Sequence, residues 1–576
     1  GFGGMEMGES HLPDGHILAW TPGRSAFTGR PGMAWRLAPG TDLVLQLHML
    51  PTGKPEAVRP RVGLHFADGP SRVHTFTVTL GHEELEIPAG ARDHRVTDTL
   101  RLPVPVELHS VYPHAHYLGK SIRATATLPD GSARTVLDVP RWDFDWQDEY
   151  RFAPGATLPA GTVLTMEWSY DNSADNPRNP NQPPRPVRFG YRSSDEMGYL
   201  SLQVIVEDEA ALFAVQEAEV AHRLALRPDS WRANELMGLL HAEAGRWEAA
   251  AEHLARAVEL AASEPAPRLA LGRALRFLGR EDEALVHLRR ALELDPERPA
   301  ALSALGLALE ARGELDEAID LFRRAVAAEP GSAAAHVDLG LALSSAGELD
   351  AAERHLRQAL ELGPGDAFAL FGLGRLAEGR GDRAAAADLY RRALAADPEH
   401  PDAALALGRL LLAGGAAAEA VPILRQAAER APEAAPARLA LAEALLAAGD
   451  PAAAEAELAR AAELAPDAPA LHHLRARAAQ AAGRYPAAAD HYARHLALAP
   501  DDHAARYNRA VCLTLAGRVD EAVAEFRLAL AGEPRYRQPL AAMARTLAEH
   551  PDPAVRRPDT AAALERLLAT VPAPGR

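Results

Sequence analysis

The sequence predicts a multi-domain protein, an antiparallel β-sandwich of jelly-roll-like form followed by an all-α solenoid. Three observations predict it. The chain has 576 residues, more than a single hydrophobic core organises. Near Val206 the composition changes from Pro, Gly, Thr, Val, His and Trp to Ala, Leu, Glu and Arg. Beyond that point glycines recur at a spacing of 34 residues, from Gly245 to Gly517.

The front part carries short runs rich in β-branched and aromatic residues at 42–47, 72–80, 121–128, 162–170 and 198–206. Turn signals separate them, among them Pro-Asp-Gly at 129–131 and Pro-Ala-Gly at 159–161. Short strands between Pro/Gly turns predict antiparallel sheets.

The back part has a register that can be followed residue by residue. Gly245, Gly279, Gly313, Gly347, Gly381, Gly415, Gly449, Gly483 and Gly517 mark nine units. Seven residues before each lies Gly or Ala, and five residues after each lies Ala. Pro296, Pro330 and their successors to Pro534 close the second to the ninth units, and the first has Ala262 there. The small residues predict close helix approach, the central glycine a left-handed helix cap, and the proline the end of the second helix. This pattern resembles the tetratricopeptide repeat, whose period is 34. It implies a leading helix at 207–230, nine repeats over 231–536 and degenerate capping helices over 537–576. Arrays of this kind present a concave groove, so a protein or peptide ligand is expected.

The formal charge of −18 argues against nucleic acid as a partner class, because phosphate binding needs clustered Lys and Arg. No apolar run reaches the length of roughly 18 residues that a membrane helix needs. Cys512, the one cysteine, falls on the first helix of the ninth repeat and reads as a buried structural thiol.

The chemistry lies in the front part. His114-Ala-His116 is a His-x-His pair within 109–120, and residues two apart on a strand share a face, so both imidazoles can grip one metal ion. Far downstream, Ser193-Ser194-Asp195-Glu196-Met197-Gly198 offers a thioether, a soft ligand suited to reduced copper. Taken without context, such histidines are more often surface or hydrogen-bonded groups and such a methionine core. Asp195 and Glu196 read either as orienting the loop or as a solvated turn. His109, five residues before His114, falls on the opposite face of a regular strand.

The segment from His114 to Lys120, followed by Ser-Ser-Asp-Glu-Met, resembles the copper type II, ascorbate-dependent monooxygenases. That family includes the peptidylglycine α-hydroxylating and dopamine β-monooxygenases. Trp142-Asp-Phe-Asp-Trp146-Gln147 and the segment from Tyr170 resemble its bacterial members. Leu43-Val-Leu-Gln-Leu-His48 resembles the end of the family's N-terminal domain. The resemblance implies a remnant of that domain at 1–75 and a catalytic β domain at 76–206. His114, His116 and Met197 would hold the oxygen-binding copper, and His48 one position of the electron-transfer copper. That second copper also takes an adjacent His-His pair, which residues 1–47 lack. The chain starts Gly-Phe-Gly-Gly and is expected to begin inside the N-terminal domain.

The implied activity is hydroxylation of a C–H bond of an organic substrate by dioxygen, with ascorbate as reductant, in the periplasm or outside the cell. Tyr199 and Ser201 stand where peptidylglycine hydroxylases use Asn and Tyr to hold a carboxylate, which argues against peptidylglycine as substrate. The alternative is a tetratricopeptide interaction scaffold carrying an inactive or merely copper-binding domain.

Overall fold

The computed structural model describes residues 73–570, apart from 83, 191, 193, 553 and 554. The chain divides into two compact units, one ending at Asp295 and one starting at Pro296.

The first unit opens with the strands β1 (His74–Gly81), β2 (Glu86–Ile87), β3 (His94–Arg101), β4 (Val106–Ala115), β5 (Gly119–Thr127) and β6 (Ala133–Val139). They continue as β7 (Tyr150–Arg151), β8 (Thr157–Leu158), β9 (Val163–Tyr170), β10 (Val187–Arg188) and β11 (Gly198–Val206). One sheet runs β1-β11-β4-β7, with β8 also on β4; the other runs β3-β9-β5-β6. All the pairings are antiparallel. Alternate residues of both sheets turn into one core, with Val78, Leu80, Val111, Leu200 and Leu202 from the first facing Ile122, Ala124, Leu164, Met166 and Trp168 from the second. Two apolar faces closing on each other make the sandwich.

The runs at 72–80, 121–128, 162–170 and 198–206 appear as β1, β5, β9 and β11. The run at 42–47 lies outside the described residues. β3 and β6 are less legible because their outer residues are charged or polar, leaving only Asp98, Leu100 and Leu137 buried along them.

The segment that follows β9 is a structural hub. Asn172, fully buried, donates its amide to the carbonyls of Ile87, Pro88 and Arg185 at 3.1, 3.1 and 2.8 Å. Its Oδ1 accepts from Asn179 at 2.9 Å, so the side chain stitches three loops together.

The helix Glu209–Leu226 follows β11 after two intervening residues and is capped by the second, Asp208. Val215 on this helix belongs to the sandwich core, with Ala211 and Leu212 packed beside it. His222 places Nε2 2.9 and 3.1 Å from the two carboxylate oxygens of Asp98 on β3. The helix Trp231–Glu243 and its partner Trp247–Leu260 then begin the repeats. Leu254 packs where a Cβ on Gly238 would sit, only 2.5 Å away, so glycine is what lets these two helices meet closely.

In the second unit the same units recur from Pro299 to Gly532. Each second helix buries one face on successive turns, as with Ala318, Phe322 and Ala325, or Ala352, Leu356 and Ala359. The glycine between paired helices is left-handed throughout, for example φ 81° at both Gly313 and Gly347. That is the cap expected from the spacing. The helix Pro558–Thr570 closes the unit, with Leu564 and Leu567 in its last core. Arg557 donates to the carbonyls of Thr514 and Leu515 at 2.8 and 3.0 Å, occupying helix-end acceptors. Cys512 is buried in that core, and burial pushes its thiol up to about 11, so it is inert packing as expected.

Candidate metal centre

β4 pairs with β11 so that Ala115 faces Gly198 and His114 faces Tyr199. Directly paired residues share a sheet face. Extending the register by one residue sets Met197 opposite His116. His114, His116 and Met197 therefore lie together on the outer face of the first sheet, at the end of its central ladder. His116 and Met197 are buried, and His114 is half-buried. The two imidazoles meet edge to face, with centroids 5.5 Å apart, and Tyr112 stacks beside His114 at 6.4 Å.

The ring orientations are fixed by hydrogen bonds. His114 Nδ1 lies 2.5 Å from Gln147 Oε1, while the Gln147 amide nitrogen donates to the Phe144 carbonyl at 2.9 Å. The amide is thereby oriented with its oxygen toward the ring, and Nδ1 donates. His116 Nδ1 lies 3.0 Å from the Asp195 carbonyl, which can only accept. In their neutral form both rings are thus held in the tautomer that places the lone pair on Nε2. Holding one ring nitrogen as donor is how proteins aim the other at a metal.

The loop 142–147 closes over the pair. Phe144 meets the His116 ring at 6.2 Å, and Trp142 donates its indole N–H to the His116 carbonyl at 3.2 Å. Trp142 stands edge-on to Trp168, which stacks on Tyr170.

Glu196 ties the two sides of the site together. Fully buried, it accepts from the amides of Leu118 at 2.7 Å and Met197 at 2.9 Å, and from the His116 amide. Burial pushes its carboxyl up to about 7, against amide bonds that pull it down. Of the two readings of this acidic pair, orienting the loop is the one the geometry supports, and Asp195 contributes through its carbonyl. Gly198 is required beside it, because any Cβ there would overlap the Tyr170 hydroxyl.

Two neutral imidazoles with a thioether make a donor set that suits both Cu(I) and Cu(II), so the residues fit a copper ion. His48 lies outside the described residues, as do His11, His16 and His65. His109 sits where the β4–β11 register shifts between Gln203 and Val204, so a bulge rather than plain alternation sets its direction. His74, His82 and His94 are half-buried, and His82 Nε2 lies 2.9 Å from the Thr97 carbonyl. Gln147 is the site residue whose role the sequence left unread. Its only signal was its place at the end of the aromatic 142–147 segment.

Family models described as tetratricopeptide repeat match residues 269–333, 371–434 and 473–538, and also 309–373 and 411–478. Residues 269–538 of the helical part thus carry tetratricopeptide repeats. No curated protein matches the chain. Among solved structures it is similar to the APC/C hetero-tetramer Cut9–Hcn1, at 18% identity and TM-score 0.38, over 47% of this chain and 56% of that one. The chain thus spans only about half the length of that relative. It is also similar to PilF of Pseudomonas aeruginosa, at 22% identity and TM-score 0.32, over 37% of this chain and 96% of that one. A third is a thermophilic TPR protein of Thermus thermophilus, TTC0263, at 30% identity and TM-score 0.29, over 32% and 99% of the two chains.

Proposed function

We propose that the chain is a tetratricopeptide interaction scaffold whose front β domain binds copper through His114, His116 and Met197. The observation that carries the scaffold is the run of repeated helix pairs in the second unit, an architecture built to present surface to a protein or peptide. Support for copper binding comes from the ladder that sets two imidazoles and a thioether on one face, with Gln147 and the Asp195 carbonyl holding the rings.

The test is Cu(I) titration of the full chain against a chromophoric chelator. Wild type should hold copper, and Met197→Ala and His114→Ala should each weaken it at least tenfold. Equal competition by all three would sink the copper site.

A second reading, catalysis of the monooxygenase type, rests on the resemblance of the His114–Lys120 and 193–197 segments. When bound, copper would supply one-electron redox chemistry and activate dioxygen, with ascorbate as reductant and an organic C–H substrate. In that reading Glu196 positions Met197 and the His116 backbone, the loop 142–147 shields the rings from water, and His48 serves the electron-transfer copper. Its setting would be the periplasm or the cell exterior. Ascorbate-dependent oxygen uptake that His114→Ala abolishes would establish it. Tight copper binding with no uptake would leave the scaffold with a copper-binding domain.

A further inference from the structure

Among the described residues, His473, His495 and Asp502 bring their ligand atoms within 4.8 Å of one another. They come from three successive elements of the second unit. His473 is on the helix Pro469–Ala481, His495 is on the helix Tyr485–Leu498, and Asp502 is the N-cap of the helix His503–Leu515.

The repeat supplies its own control. The position of His495 is alanine in the other eight units, namely 257, 291, 325, 359, 393, 427, 461 and 529. All eight alanines are at most 1% exposed. The position of His473 is occupied elsewhere by Glu235, Leu269, Ser303, Val337, Phe371, Leu405, Leu439 and Tyr507. Two positions that touch have therefore both become histidine in one unit, at a place the array otherwise keeps small. Their rings meet at 5.1 Å and 71°.

His495 is held between two acceptors. His495 Nδ1 lies 3.0 Å from the Pro469 carbonyl, and Nε2 lies 2.8 Å from Asp502 Oδ2. Both partners only accept, whereas a neutral imidazole has one N–H. With Nδ1 donating to the carbonyl, Nε2 and the Asp502 carboxylate present their lone pairs to one point, where a cation held between them would be coordinated by both. His473 stands beside this pair, its ring also edge-on to Tyr492 at 5.8 Å, and brings a second imidazole to the same point. Asp502 Oδ1 already takes the Ala505 amide at 2.9 Å, which fixes the carboxylate with Oδ2 toward the histidines.

We infer that His473, His495 and Asp502 form a binding site for a divalent transition-metal ion of the Zn²⁺ class. Two imidazoles and one carboxylate are an established donor type for this ion, with a fourth position left to water or an outside ligand. Ligands of a tetrahedral ion at about 2.0–2.1 Å stand roughly 3.4 Å apart. The Asp502 carboxylate therefore has to back off by about half an ångström as the ion enters. The ion would pin the eighth repeat to the ninth. The inference is independent of the copper reading, because it uses no residue of the first unit.

The test uses the chelator-stripped full chain, titrated with Zn²⁺ alone by calorimetry and melted with and without it. The comparison variant is His473→Leu with His495→Ala, which puts back the leucine found at 269, 405 and 439 and the repeat's own alanine. Wild type should bind one more Zn²⁺ per chain than this variant, and its Zn²⁺-dependent rise in melting temperature should shrink in the variant. Identical stoichiometry and identical shifts would overturn the inference. Asp502→Asn keeps the capping oxygen and serves should the double variant fail to fold. It should weaken Zn²⁺ at least tenfold, and unchanged affinity would overturn the site as surely.

Discussion

Glu196 is the residue on which the front domain's site turns. Removing its carboxylate leaves the His116, Leu118 and Met197 amides buried without their acceptor. Each such orphan costs about 1–3 kcal/mol, so Glu196→Ala should destabilise the first unit by roughly 3 kcal/mol or more. It should also weaken copper binding although no metal ligand has changed. Met197→Ala should weaken copper with a smaller loss of urea midpoint, and the contrast between the two variants is the measurement. A Glu196→Ala variant as stable as wild type would discard the tie. The sequence showed His114, His116 and Met197, because strand alternation is a local rule. It left Glu196 ambiguous, because the amides that bury and bind it come from 78 and 80 residues earlier in the chain. Gln147 was hidden for the same reason.

At the scale of the element, the repeats were legible to the single residue and the strands were not. Nine copies of one unit align with each other, so each glycine, alanine and proline is read against eight others. β3 has no such reference, and the bulge at His109 is one extra residue that no periodicity announces. The capping glycines give a test with an internal control. Gly347 and Gly331 both have open space where a Cβ would go, but only Gly347 has a positive φ, of 81°. Gly347→Ala should cost about 1–2 kcal/mol from the forced left-handed backbone. Gly331→Ala should be neutral or stabilising by up to about 1 kcal/mol, by restricting the unfolded chain. Denaturant midpoints decide, and equal effects of the two substitutions would refute the cap as the cause.

At the scale of the whole molecule, the change of composition near Val206 marks a change of architecture but not a clean seam. The helix Glu209–Leu226 completes the sandwich through Val215 and through His222 on Asp98. Burial pushes the Asp98 carboxyl up, but the bond to His222 and the amides of Gly81 and Thr99 outweigh it, so its pKa in the folded protein lies below the usual range. A depressed carboxyl gives stability that is fully present above its unfolded value of about 3.9. That stability is lost as pH falls through the folded value. Wild type should therefore lose stability below about pH 4 more steeply than Asp98→Asn, measured as urea midpoints across that range. Parallel curves would rule the pair out as a source of acid sensitivity. The long reach of the Glu196 bonds also bears on synthesis. The histidine pair leaves the ribosome some 80 residues before the carboxylate that seats it, so the cradle stays open until β11 has been made. The helix pairs that follow need only their neighbours and can close as they emerge. A nascent chain halted before Met197 would carry both imidazoles and no site.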